Sequence, residues 1–126
     1  MTVEIVLVDA VHCLINSDWT LNKELANYLK SLNLKVYIIT NASAEKISAI
    51  IDDFEIFTLE NNPAKTDSLY FEKFISEKNE GLADNLFYFD HSQANLDSAK
   101  SAGLSKLFLW TGDLEELKSW FVKTLK

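Results

Sequence analysis

The chain has 126 residues, 48% of them apolar, with three Gly, one Pro and one Cys. That predicts one domain over residues 1–126 around one core, without linker or low-complexity character, and it excludes an intramolecular disulfide. A formal net charge of −7 disfavours a nucleic-acid backbone as partner, and no apolar run approaches the ~20 residues that cross a bilayer. The N-terminus lacks the basic patch and long apolar core of a signal peptide. The expectation is a soluble cytoplasmic protein that engages neither nucleic acid nor membrane.

The first predicted strand is "EIVLVD", Glu4–Asp9. Leu21, Leu25, Tyr28, Leu29 and Leu32 then recur at helical spacing. "KVYIIT" is the second strand. Ser43 is a candidate N-cap, followed by Ile47, Ile50, Ile51 and Phe54 on one helical face. "FEIFTL", Phe54–Leu59, has the length of a third strand. Tyr70, Phe71, Phe74 and Ile75 mark the next helix. "NLFYFD" is the fourth strand. Leu96, Ala99 and Ala102 follow, closed by Gly103 as a C-terminal cap. "KLFLW" is the fifth strand. The last helix starts at Asp113, with Glu116 three residues on as in a capping box. It turns Leu114, Leu117, Phe121 and Leu125 inward. The strand runs are continuously apolar, which suits a parallel sheet buried on both faces.

A strand followed by a helix, five times over, predicts right-handed crossovers and a three-layer α/β sandwich. In such sheets the ligand site lies beyond the carboxyl ends of the strands. Those ends carry Asp9, Thr40 and Asp90, and Lys65 follows the third strand on the same side. Two carboxylates, a lysine and a hydroxyl suit a phosphate-and-metal site. Mg2+ takes oxygen ligands, Lys65 offsets phosphoryl charge, and Asp9 can attack phosphorus.

Four pieces in this order resemble the haloacid dehalogenase (HAD) superfamily, mostly phosphohydrolases. "VLVDAVHCLI" resembles its first motif, an apolar strand then Asp-x-Asp-Gly-Thr-Leu. "YIITNAS" resembles the second, a strand ending in Thr or Ser. "NPAKTDSLYFEKF" is similar to the third, a Lys before a Phe-bearing helix. "LFYFDHSQANLDSAKSAGL" resembles the fourth, an apolar strand, Asp-Asp-Ser, then Asn and Ala-Gly. The resemblance covers nearly the whole chain. It implies a Rossmann-like core of five parallel strands in the order 5-4-1-2-3. It implies Asp9 as nucleophile, Thr40 and the Asn41 amide as phosphate binders, and Lys65 as the charge-stabilising lysine. Asp9, Asp90 and the Val11 carbonyl would then hold Mg2+.

The departures are specific. Val11 stands where the family places its general acid and base, help typically worth about 10²–10⁴-fold. His12 and Cys13 replace Gly and Thr, and His91 replaces the second Asp of the fourth motif. "VDAV" is similar to the dehalogenases' Asp-Ala-Tyr, but dehalogenases use a cap domain and do not need the metal carboxylate. Neither Ala10–Lys35 nor Leu59–Ala64 has room for a cap. A capless member generally leaves its site open, for a large phosphorylated partner or for a partner chain acting as lid.

Plainer roles compete with each assignment. Asp9 is then a strand-end residue, Asp90 a carboxylate near a helix start, Lys65 a solvated lysine, and Thr40 and Asn41 turn residues. Strand alternation points His12 away from Asp9. His91 is the better candidate for a site role. Cys13 is a small buried thiol. Trp110, Trp120 and Phe121 pack, and Trp19, near the flap after the first strand, is a candidate for an exposed contact surface. Two function classes remain open. One is a Mg2+-dependent phosphohydrolase with weak or specialised activity on a phosphorylated small molecule or macromolecule. The other is a non-catalytic protein of the same fold that binds phosphate, metal or a protein partner.

Overall fold

The computed structural model describes residues 4–78 and 83–125. Its strands are β1 (Ile5–Asp9), β2 (Lys35–Thr40), β3 (Glu55–Thr58), β4 (Leu86–Asp90) and β5 (Lys106–Leu109). All pair in parallel in the order β3-β2-β1-β4-β5, the expected order read from the other edge. The helices are α1 (Lys23–Ser31), α2 (Ala44–Ser48), α3 (Ser68–Lys78), α4 (Gln93–Ser101) and α5 (Leu114–Thr124). Among the described residues no inserted cap interrupts this alternation.

Residue alternation divides the core between the two faces of the sheet. Val6, Val8, Val36, Ile38, Phe87 and Phe89 pack under α1, α2 and α5, through Leu25, Leu29, Ile47, Leu117 and Phe121. Ile5, Leu7, Tyr37, Ile39, Leu86 and Tyr88 pack under α3 and α4, through Tyr70, Phe71, Phe74, Leu96 and Ala99. The three inner strands are buried along their apolar runs, as the sequence predicts. The outer two are not: β3 and β5 are only partly covered, and Leu109 is exposed. An edge strand has one neighbour and needs less apolar cover.

Several local expectations change. Leu21 precedes α1, whose N-cap is Asn22; its side chain accepts from the Leu25 N–H at 3.1 Å. Helix α2 stops after one turn, because the Ile50 and Ile51 N–H groups both converge on the Ile47 carbonyl. Ile50, Ile51 and Phe54 still pack inward from the turn that follows. Gly103 does close α4. Its φ of +108° lets its N–H reach the Lys100 carbonyl while that of Leu104 reaches Ala99, a Schellman pattern. Asp113 caps α5, but Glu116 does not reach back to it; its carboxylate accepts from the Thr111 hydroxyl instead. Leu125 lies past the last turn and is exposed.

Candidate functional site

Strand β1 ends on Asp9 and its neighbour β4 ends on Asp90. Both follow a residue two positions back, Leu7 and Tyr88, on the face covered by α3 and α4. Lys65 reaches them from beyond β3. Its Nζ donates to Asp9 Oδ1 at 2.6 Å and to Asp90 Oδ2 at 3.0 Å. The three side chains are no more than 4% exposed. The loop is seated by Asn41, whose amide oxygen accepts from the Lys65 N–H at 2.8 Å.

Asp90 is held from all sides. Besides Lys65, its carboxylate accepts from the Tyr88 hydroxyl, from Asn95 Nδ2 at 3.1 Å and from the Ser92 N–H at 2.9 Å. Asp9 faces outward with Oδ2. There His91 Nδ1 lies at 2.5 Å, and the Cys13 thiol donates at 3.3 Å. His91 is partly exposed and also stands 3.3 Å from Asp90 Oδ1.

Burial alone would push the Asp9 carboxyl up. The Lys65 charge, with hydrogen bonds from His91 and Lys65, outweighs it and holds Asp9 at about 2. Asp90 moves the other way, raised by burial and by the Asp9 charge despite Lys65. Burial disfavours the Lys65 ammonium, but the two carboxylates reverse this and raise it. The hydrogen bond to Asp9 raises His91 against partial desolvation. Burial, then Asp9 and Asp90, push the Cys13 thiol far up, so in the metal-free protein it keeps its proton.

The remaining expected site residues surround this cluster without joining it. Thr40 is buried at the end of β2, where its hydroxyl accepts from the Ala42 N–H at 3.0 Å. Its own N–H donates to the Tyr70 hydroxyl. Val11 lies half-buried in the turn after β1, bridged to Ile15. The expected open pocket is closed: Lys65 fills the gap between the two carboxylates, and Cys13 covers Asp9 from the turn. A groove of about 940 Å³ does exist, but between α1 and the start of α5, lined by Glu24, Tyr28, Asp113 and Lys118.

The strand ends before His12, and a φ of 72° turns its ring onto His91, with centroids 5.1 Å apart. Alternation does not extend past the last strand residue. Tyr88 and Asn95 were missed as site residues. Tyr88 was legible, since it stands two before Asp90 and must share its face; Asn95 sits in the fourth motif, five after Asp90.

The fit of Mg2+ follows from these donors. Mg2+ demands near-octahedral oxygen ligation at roughly 2.0–2.1 Å. Of the expected set, Asp90 is fully buried, and its oxygens already serve four donors of the chain. The groups facing the outer oxygen of Asp9 are an imidazole nitrogen and a thiol. This donor set does not fit Mg2+.

No family model and no curated protein matches the chain. A crystal structure of a candidate beta-phosphoglucomutase from Thermotoga maritima is similar in shape. It is 19% identical, with a TM-score of 0.52 over 78% of this chain and 50% of that one. The chain thus spans about half the length of that protein. At that identity the likeness shows the fold alone, a three-layer α/β sandwich around a parallel sheet.

Proposed function

We propose that this protein is a non-catalytic relative of the HAD phosphohydrolases, one that keeps the Asp9–Lys65–Asp90 centre for binding rather than turnover. The observation that carries this reading is the state of Asp90: the carboxylate implied as metal ligand is wholly buried and saturated by Lys65, Tyr88, Asn95 and Ser92. Val11 adds to it, because an apolar side chain cannot protonate a leaving group.

One observation favours the second reading, a slow phosphohydrolase. Asp9 is held ionised beside a buried lysine, as an attacking carboxylate requires. Hydrolysis of an activated aryl phosphate, with and without Mg2+, decides between them. The expected result is no turnover above that of Asp9→Asn. Turnover that needs both Asp9 and Mg2+ would overturn the binding reading. A further variant sharpens the test: Val11→Asp restores a carboxylate at the leaving-group position. If the acid were the only loss, it would raise turnover of an alkyl phosphate by ~10-fold or more. The binding reading expects no gain.

A further inference from the structure

The outer side of Asp9 gathers three different ligand types. Its Oδ2, His91 Nδ1 and Cys13 Sγ lie within 4.8 Å of one another. We propose that these three side chains bind a thiophilic divalent cation of the Zn2+ type. The proposal rests on the reading above, that the Asp9 centre binds rather than turns over, and it names the ligand.

The donor chemistry selects the metal. One thiolate, one imidazole and one carboxylate suit Zn2+, which takes four ligands in a tetrahedron. At the usual bond lengths, tetrahedral ligand atoms stand about 3.3–3.8 Å apart. The Cys13–Asp9 spacing is already 3.3 Å. The His91–Asp9 spacing of 2.5 Å is a hydrogen bond, and it must open as the metal replaces the shared proton. His91 is 39% exposed, so the ligand set can be reached from solvent on its side. The fourth position falls on that exposed side, open to water or to a partner's ligand.

The support around the ligands is in place. Lys65 grips the other oxygen of Asp9 at 2.6 Å, which fixes the carboxylate plane. The His12 ring stands edge-on to His91. Cys13 is 2% exposed, yet its sulfur is directed at a carboxylate. Binding releases to water both the thiol proton and the proton shared by His91 Nδ1 and Asp9, and the dication offsets the resulting thiolate and Asp9.

The test uses the intact chain, reduced and stripped of metal. Zn2+ should bind one to one, and a large excess of Mg2+ should not displace it. Co2+ should give a thiolate-to-metal charge-transfer band that Cys13→Ser removes. His91→Ala should weaken Zn2+ by more than ~100-fold, beyond the loss seen for outer partners. His12→Ala should change it only a few-fold. A Co2+ complex without the thiolate band would overturn the proposal. So would unchanged Zn2+ affinity in His91→Ala, which serves if Cys13→Ser fails to fold. So would displacement by Mg2+ at comparable concentration. Absence of Zn2+ binding together with absence of hydrolysis defeats this inference alone. Mg2+-dependent hydrolysis defeats the function proposed above, whatever Zn2+ does.

Discussion

The two faces of the sheet are built to different rules. The hydrophobic cluster under α1, α2 and α5 is built from aliphatic side chains with Phe87, Phe89, Phe121, Trp110 and Cys13. The face under α3 and α4 holds Tyr37, Tyr70 and Tyr88 among rings packed edge to face. Two of those hydroxyls run to the carboxyl edge. Tyr88 reaches Asp90, and Tyr70 reaches the backbone of Thr40 and Phe57. A buried tyrosine brings apolar area and one polar tip. The aromatic layer therefore serves as core and as the floor of the charged centre at once. From the other layer, Cys13 reaches Asp9. The lesson is that the charge cluster belongs to one layer's packing, and each layer fails in its own way.

The largest effect should come from Lys65→Met. It leaves two carboxylates buried side by side, a defect that typically costs about 3–5 kcal/mol. Denaturant unfolding measures it. Adding Asp9→Asn should return part of the loss, since the repulsion then has one partner fewer. If the single variant is as stable as wild type, the cluster is not integral to the core. Next comes Leu25→Ala on the face under α1, α2 and α5, where a cavity should cost about 2–5 kcal/mol. Asp9 and His91 should keep their NMR chemical shifts in it. A change at His91 there would show that the two layers are not independent. Tyr88→Phe keeps the ring and removes one donor from Asp90, for about 1–3 kcal/mol. Unlike Leu25→Ala, it should disturb the signals of His91 and Asn95.

The smallest effect concerns pH. His91 is raised above its ordinary 6.5 by Asp9. Its contribution is therefore complete below about 6.5 and is lost as pH rises through the folded value. In metal-free protein, the Tm advantage of wild type over His91→Ala should shrink as pH is taken from about 6 to 9. An advantage that grows over that range would reverse the assigned interaction.

Much of this was legible in the sequence because apolar runs and strand ends are local signals. Asp9, Lys65 and Asp90 were found through their places after strands, and the sheet order was implied by the family resemblance. What escaped was set by geometry beyond the strand. The contact of His12 with His91 could not be read, because it depends on one left-handed residue after β1. The saturation of Asp90 could not be read, because three of its side-chain and backbone donors come from β4 itself, from the N-cap of α4 and from α4, folded back around it. The open pocket was inferred from the missing cap, but a long side chain was enough to fill it.

Lys65 also ties the order of folding to the finished centre. It lies 56 residues from Asp9 and 25 from Asp90 along the chain. Its ammonium can be neutralised only after the central strand, its later neighbour and the loop beyond the far edge have all arrived. Contacts that close such long loops form late. The cluster is thus a seal on completed assembly. An amide at Lys65 that exchanges with solvent no faster than those of β1 would mark a chain that opens as one unit.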